Sequence, residues 1–302
     1  MRPREPLADL LTEQPNPASK GIDSLATEQI LRLINQEDSR VAEAVAAEIP
    51  SIARAVDVVV AALLAGGRLF YIGAGTSGRL GVLDAVECPP SFNTPPELVQ
   101  GILAGGEGAL SRAFESCEDD PDAGARDLAA REVSPRDVLV GIAASGRTPY
   151  VLGAVAAARR QGCPTVGISC TPDSELSRAV DVAISPLAGP EIIAGSTRMK
   201  AGTATKLVLN MLSTAAMIRL GHVYGNLMVN VQPSSAKLRD RAVRIIVQAL
   251  EVSRERAAEL LDGSGGSVKV AVVMGQLGII REDAERRLSS ADGRLSEALR
   301  HG

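Results

Sequence analysis

Tryptophan is absent from this 302-residue chain, and tyrosine and phenylalanine number three each. With aromatics at 2%, there are few flat faces on which bases or sugar rings could stack, so polar contacts must do the recognising. Histidine is almost as scarce, at two residues, His222 and His301. The four cysteines, Cys88, Cys117, Cys163 and Cys170, form no C-x-x-C pair. Spacings of this kind do not make a zinc site, so no metal is expected, and the thiols read as reduced. Cys88 and Cys117 each adjoin a carboxylate, but with no histidine near them in the sequence to activate them they read as pocket wall, not nucleophiles. A basic excess is lacking as well: the net charge is −4, which argues against a nucleic-acid partner. The longest apolar run, Val58 to Ala65, is far short of the roughly 20 residues a bilayer span needs. The first residues, M-R-P-R-E-P-L-A-D, break any apolar run with charge at once. A soluble, cytoplasmic protein with no membrane partner is the expectation. No G-x-x-x-x-G-K-[ST] occurs, which disfavours nucleoside triphosphate chemistry.

Against these absences stands 45% hydrophobic content, enough for one large core and a smaller module, and 29 glycines, as many tight strand–helix turns require. Residues 1–22, rich in Pro, Asn and Ser, read as an extended arm. Helical periodicity begins near Thr27, and a longer helical region covers about Val41 to Ala65, interrupted at Pro50 and stopped by Gly66-Gly67. From Arg68 the pattern alternates. Short Val/Ile-rich strands are expected at Leu69–Ile72, Leu98–Leu103, Val138–Ala143, Thr165–Ser169 and Val182–Ile184. Their lack of alternation suits a parallel sheet buried on both faces. Helices fit between them at Gly78–Val86, Ala109–Glu118, Ala123–Arg131 and Thr148–Gln161, the last with Thr148 as N-cap and Pro149 at its first position. A nearly all-apolar helix, Ala201 to Leu220, suggests burial in the core or at a subunit interface. After Val231-Gln232-Pro233 the chain turns polar: one helix spans Arg239–Leu250, and a small module follows with helices at Ser253–Leu261, Ser267–Leu277 and Glu282–Leu288.

Three turns carry the chemistry. Gly73-Ala74-Gly75-Thr76-Ser77-Gly78 follows the first strand and opens a helix, where unpaired N–H groups favour an anion. It literally matches G-x-G-x-x-G, which keeps a dinucleotide in play, but the acid that should close the next strand, Glu107, comes late, after two glycines. Taken alone, the motif leaves dinucleotide, another phosphate ligand and a ligand-free tight turn all open. Ala144-Ser145-Gly146-Arg147-Thr148 ends the third strand, and Gly195 to Thr203, G-S-T-R-M-K-A-G-T, precedes the apolar helix. Three hydroxyl-bearing helix entrances on one sheet can converge where the strands end, which suits a phosphate held by Ser/Thr hydroxyls and N–H groups. Each alone could be a simple N-cap.

Two carboxylates accompany them. Glu87 precedes Cys88-Pro89-Pro90 and is expected at the C-terminus of a short helix, where the dipole would raise its pKa and suit it to donate a proton. Glu118 begins the acidic run 118–120, which could equally be a solvated face. Two carboxylates without a suitable histidine fit general acid–base work on a carbon acid or a leaving oxygen.

Longer stretches then narrow the reading. They are L-T-E-Q-P-N-P-A-S at 11–19, L-I-N-Q-E-D at 33–38, G-A-G-T-S-G-R-L-G at 73–81 and D-A-V-E-C-P-P at 84–90. Further on come G-I-A-A-S-G-R-T-P-Y at 141–150, T-V-G-I-S-C at 165–170, G-S-T-R-M-K-A-G-T-A-T-K-L-V-L-N-M-L-S-T at 195–214 and G-N-L-M-V-N-V at 225–231. In these, over nearly its whole length, the chain resembles the N-acetylmuramic acid 6-phosphate etherases, bacterial enzymes with a sugar isomerase (SIS) domain. The resemblance implies cofactor-free cleavage of the D-lactyl ether by elimination and then hydration, in recycling of cell-wall amino sugar. It places the proton donor on Glu87 and the second catalytic carboxylate on Glu118. The sugar phosphate would be held by Gly75, Thr76, Ser77 and Gly78, by Ser145, Gly146, Arg147 and Thr148, and more weakly by Ser196. Many SIS domains read S-x-S-G-x-T at the second turn; Ala143 replaces the first Ser here, which weakens a plain isomerase reading, although the etherases share the change.

The expectation is therefore an α/β, SIS-type three-layer αβα sandwich with a mainly parallel sheet at 51–232. An N-terminal helical arm would precede it at 1–50, and a small UBA-like helical module would follow at 233–302, in a homodimer. The rivals are an SIS-type phosphosugar isomerase, a non-catalytic phosphosugar sensor and, further off, a nicotinamide-dependent oxidoreductase.

Overall fold

A computed structural model describes residues 10–112 and 117–300. The chain divides into two compact units, one running up to Val86 and resuming over Glu97–Ser213, the other comprising Glu87–Pro96 and the chain from Thr214 onward.

The first unit is built on a five-stranded, wholly parallel sheet in the order β2-β1-β3-β4-β5. The strands are β1 (Leu69–Gly73), β2 (Val99–Leu103), β3 (Val138–Ile142), β4 (Thr165–Ile168) and β5 (Val182–Ile184). All five lie where the apolar runs placed them, and β1, β3 and β4 are buried along their full length, as strands covered on both faces must be. One face, with Phe70, Ile72 and Leu139, packs on α4 (Pro121–Ala129) and α5 (Pro149–Arg160) through Leu128, Val151 and Val155. On the other, Gly81 of α3 (Gly75–Phe92) sits so close to Tyr71 that a Cβ there would come within 2.8 Å of the tyrosine's own. Helix α1 (Thr27–Ala47) precedes α2 (Ile49–Leu64), which packs on β1, β3 and β5. Pro50 falls in the first turn of α2, where its missing N–H costs nothing, and Gly66, at φ 77°, ends the helix as expected. Helix α6 (Glu175–Ala179) links β4 to β5, and α7 (Lys200–Arg219) follows β5.

The strand order reverses at β1. Its successor β2 lies on one side and β3 on the other, so the carboxyl ends of β1 and β3 flank the crevice where open α/β sheets receive ligands.

Three expectations are corrected. The helix after β1 does not stop before Pro89-Pro90: α3 runs from Gly75 to Phe92 and contains both prolines. The prolines remove the N–H donors for the Ala85 and Val86 carbonyls, yet the helix continues, and just past its end the Asn93 N–H donates to the Pro89 carbonyl at 2.8 Å. Asn93, at φ 54°, then ends the helix in the left-handed conformation. Second, no α-helix fills the described part of 109–118. Glu107–Leu110 form a 3-10 turn and Glu118 lies in a bend, while residues 113–116 fall outside the described residues. Third, the described part of the arm is not extended. Residues 10–24 fold through two 3-10 turns, Pro17–Ser19 and Ile22–Ser24, and dock on the loop before α7. There the Gly195 N–H donates to the Thr12 carbonyl and the Asn16 amide to the Pro190 carbonyl.

The second unit has its own core, formed by α8 (Ala236–Leu250), α9 (Arg254–Gly263), α10 (Val268–Leu277), α11 (Arg281–Ser290) and α12 (Leu295–Arg300) around Ile246, Leu261, Val272 and Leu288. Ser235, Ser253 and Ser267 cap the first three helices with their hydroxyls. Helix α12 was not expected from the sequence. In the same unit, the His222 ring and the Asn230 amide both meet the Phe92 carbonyl at the end of α3. Among the described residues no helix is long and apolar enough to cross a membrane.

Candidate active site

The first turn is shaped by close approach. A Cβ on Gly78 would fall 2.4 Å from the Gly73 carbonyl oxygen and one on Gly73 would fall 2.7 Å from the Gly78 nitrogen, so both positions exclude any side chain. That lets the end of β1 touch the start of α3. Gly75, Thr76 and Ser77 become the first three residues of α3, and the first intrahelical bond comes only with the Gly78 N–H to the Ala74 carbonyl, 3.1 Å. Three N–H groups therefore lack an intrahelical acceptor, with two half-buried hydroxyls beside them.

The second turn stands next to it, because Gly73 of β1 is paired with Ile142 of β3. Gly146 takes φ 66° and lies so near Ser174 that a Cβ would sit 2.2 Å from the serine's. Thr148 occupies the N-cap of α5, as expected, yet its side chain makes no capping bond. Ser145 Oγ only weakly receives the Arg147 N–H, at 3.4 Å. Arg147 reaches Glu175 of α6 at 3.6 Å, so its charge is shared with a carboxylate.

Glu118 ties the two turns together. Its carbonyl accepts the Tyr150 N–H of α5 at 3.0 Å, and its Oε1 lies 3.2 Å from where a Cβ on Gly75 would be. The carboxylate thus borders the entrance of α3 while its backbone is fixed to the entrance of α5. Tyr150 is itself held through its hydroxyl, which donates to Asp127 at 2.6 Å.

The third turn meets the first through Gly202, where a Cβ would lie 3.5 Å from the Thr76 methyl. Its helix entrance is not open, contrary to expectation. The N–H groups of Lys200 and Ala201 both donate to the Glu191 carboxylate, each at 2.9 Å. Sequence reasoning missed Glu191. The signal was there, a lone acid in the apolar stretch G-P-E-I-I-A, but such an acid is usually solvated. Lys200 is buried as well, and its ammonium pairs with Glu37 at 2.8 Å. Ser196 is half-buried on the turn between.

Glu87 lies inside α3, exposed, in the second unit. It does not stand at a helix C-terminus, because the helix continues for five more residues to Phe92. One turn earlier on α3, buried Asp84 accepts from the Tyr71 hydroxyl at 3.0 Å and from Lys206 of α7 at 3.2 Å, joining strand and both helices. Glu107, the late acid of the dinucleotide reading, is exposed at the start of a 3-10 turn. Among the described residues no three His, Cys, Asp or Glu side chains gather as a metal site would require.

Comparison with known proteins bears directly on this arrangement. Residues 51–159 match the family model described as the glucokinase regulatory protein N-terminal SIS domain, and residues 117–215 match the SIS domain model. A protein of Serratia proteamaculans (strain 568) named N-acetylmuramic acid 6-phosphate etherase is 54% identical over 97% of this chain and 99% of its own length. The chain belongs to the N-acetylmuramic acid 6-phosphate etherase family. Another member, from Salmonella enteritidis PT4 (strain P125109), is 50% identical over 98% of this chain and 99% of its own. Among solved structures, one from E. coli CFT073 covers 67% of this chain and 97% of its own with a TM-score of 0.50; at 18% identity it shows the fold alone. The SIS-type α/β fold of this etherase-family chain agrees with the sequence expectation.

Proposed function

We propose that this chain is a carbon–oxygen lyase that cleaves the D-lactyl ether at C3 of N-acetylmuramic acid 6-phosphate, giving N-acetylglucosamine 6-phosphate and D-lactate. The observation that carries the reading is Glu118, a carboxylate set beside the paired entrances of α3 and α5. It is supported by near end-to-end identity with proteins that bear the etherase name.

The phosphoryl group sits on the N–H groups of Gly75, Thr76 and Ser77, with the hydroxyls of Thr76, Ser77, Ser145 and Thr148 around it and Gly78, Gly146, Arg147 and Ser196 shaping the rim. A site that holds the phosphate in this way leaves the sugar's open-chain aldehyde free to acidify the C2 proton. A carboxylate removes that proton. The C3–O bond then breaks, its electrons pass to the lactate oxygen, and a carboxylic acid protonates it. The resulting C2=C3 double bond is conjugated with the aldehyde. Water adds its hydroxyl to C3 and a proton returns to C2, so the sum is hydrolysis and the acid and base are regenerated. Glu87 and Glu118 are the two acid–base groups, with Glu87 assigned to the departing lactate.

The working form is a cytoplasmic homodimer acting on cell-wall amino sugar. Leu83 and Val86, exposed beside Glu87 on α3, support a partner surface there, one that would also shield Glu87 from water. The test is release of D-lactate from N-acetylmuramic acid 6-phosphate with no nicotinamide added, run in heavy water. Deuterium at C2 of the product supports the elimination; lactate release without it overturns the elimination in favour of direct displacement at the ether. No lactate release overturns the whole reading.

A further inference from the structure

The entrance of α7 carries a charge arrangement that the proposed chemistry does not use. Glu191 is 1% exposed, and its two carboxylate oxygens accept one N–H each, from Lys200 and Ala201, the first two residues of the helix. These donors are what an incoming anion would otherwise seek at a helix N-terminus. Behind them, the Lys200 ammonium donates to Glu37 and to the Ala188 carbonyl, both at 2.8 Å. Glu37 is closed in turn by Arg40 at 2.9 Å and by the Asn16 amide at 2.9 Å. Two carboxylates and two cations thus balance within one cluster. Such a cluster costs desolvation, and burial does push the Glu191 carboxyl up despite the two N–H donors. A device that is costly in stability and lies against a binding turn points to geometry as its purpose. The link is short: Gly202, one residue past Ala201, packs on Thr76 of the first turn.

We propose that Glu191 is a positioning residue for the phosphate cradle, a built-in carboxylate that closes the α7 entrance to ligand and clamps its first turn against Thr76. The proposal rests on the etherase reading for its substrate but not for its geometry. A phosphate ester then meets first-turn N–H groups without an intrahelical acceptor at α3, since at α5 Pro149 has no N–H and the Tyr150 N–H donates to the Glu118 carbonyl.

The test uses Glu191→Ala and Glu191→Gln in the full chain. Glu191→Ala leaves two N–H donors and a small cavity, and formate carries the same pair of oxygens as the deleted group. The expected result is a KM for the phosphosugar raised about tenfold with kcat changed far less, as a misplaced binding turn gives, and formate restoring KM in a saturable way. Glu191→Gln, which keeps the shape and one acceptor, should raise KM by a smaller factor and respond little to formate; if Glu191→Ala fails to fold, this variant carries the test alone. Wild-type KM in the folded variants overturns the proposal. So does formate raising the melting temperature while leaving KM unmoved, since a merely structural carboxylate would behave in that way. The affinity for inorganic phosphate, read by calorimetry without turnover, should weaken in parallel with the rise in KM. A wild-type chain that released no lactate would end the etherase reading and leave this phosphate measurement able to decide the proposal.

Discussion

The carboxylate of Glu118 reaches to within 3.2 Å of the place a Cβ on Gly75 would occupy. Gly75 also holds φ at 52°, so a side chain there is strained by its backbone and crowded by its neighbour. Gly75→Ala is therefore expected to cost about 1–2 kcal/mol in stability from the left-handed backbone. Its larger effect should be on turnover, because the methyl displaces Glu118 from the cradle, and a shift of this size lowers activity about tenfold or more. Urea denaturation and kcat measured on the same preparation separate the two.

Thr148 sits at the N-cap of α5 with its hydroxyl unused for capping. Thr148→Val should therefore leave the melting curve almost unchanged, within about 0.5 kcal/mol. If the hydroxyl serves the phosphate instead, KM rises about five- to tenfold while kcat holds, a loss of about 1–1.5 kcal/mol of binding. A destabilised protein with normal KM would return Thr148 to the role of an ordinary cap.

Asp137 links the start of β1 to the start of β3. It accepts from the Arg68 backbone N–H at 2.8 Å, from the Arg68 guanidinium at 3.0 and 3.1 Å, and from the Ser134 N–H and hydroxyl. Burial alone would raise its pKa, but the donors from Arg68 and Ser134 together outweigh it and hold the carboxyl below its ordinary value. A depressed folded pKa means the stabilisation is complete above the unfolded carboxylate value and is lost as pH falls through the folded one. Asp137→Asn is expected to cost about 2–3 kcal/mol at pH 7. The gap between wild type and variant should narrow as pH drops below about 4, which stability curves taken from pH 7 to pH 3 would show. A gap that stays constant would mean the carboxylate's charge contributes nothing.

Burial raises the thiols of Cys163 and Cys170 to about 12, helped by nearby Asp137 and Glu191 respectively. At pH 8 both remain protonated and enclosed, so neither should be alkylated by iodoacetamide in the native protein, while both react in urea. Mass spectrometry of tryptic peptides before and after unfolding is the measurement. Rapid native labelling of Cys170 would show that the segment between β4 and α6 opens far more readily than its burial suggests.

Much of this molecule could be read in the chain, and the exceptions have physical causes. The strands were legible because residues such as Val138 to Ile142 are apolar on both faces, which only a covered parallel sheet tolerates. The two main turns were legible because Gly73, Gly78 and Gly146 stand where nothing larger fits. Pro89-Pro90 misled because proline propensity is a local rule, whereas α3 continues to a left-handed stop at Asn93. The expected arm misled for the opposite reason: its Pro and Asn residues give no local periodicity, and its order comes from contacts with Pro190 and Gly195 far along the chain. Glu191 escaped notice because its importance lies in which N–H groups it meets, and neither composition nor spacing carries that information.

The pairing of Glu37 with Lys200 spans 163 positions, and that of Asn16 with Pro190 spans 174. During synthesis at roughly 5–20 residues per second, Glu37 is made on the order of ten seconds before Lys200, its buried cation. Throughout that interval the Glu37 charge is met only by exposed Arg40 on the same helix, and the buried cluster can close only when the chain has passed Lys200. Contacts of such long range are late events in folding. The nascent chain therefore has a built-in completion signal: the segment made first is locked by the segment that ends the sheet-bearing unit.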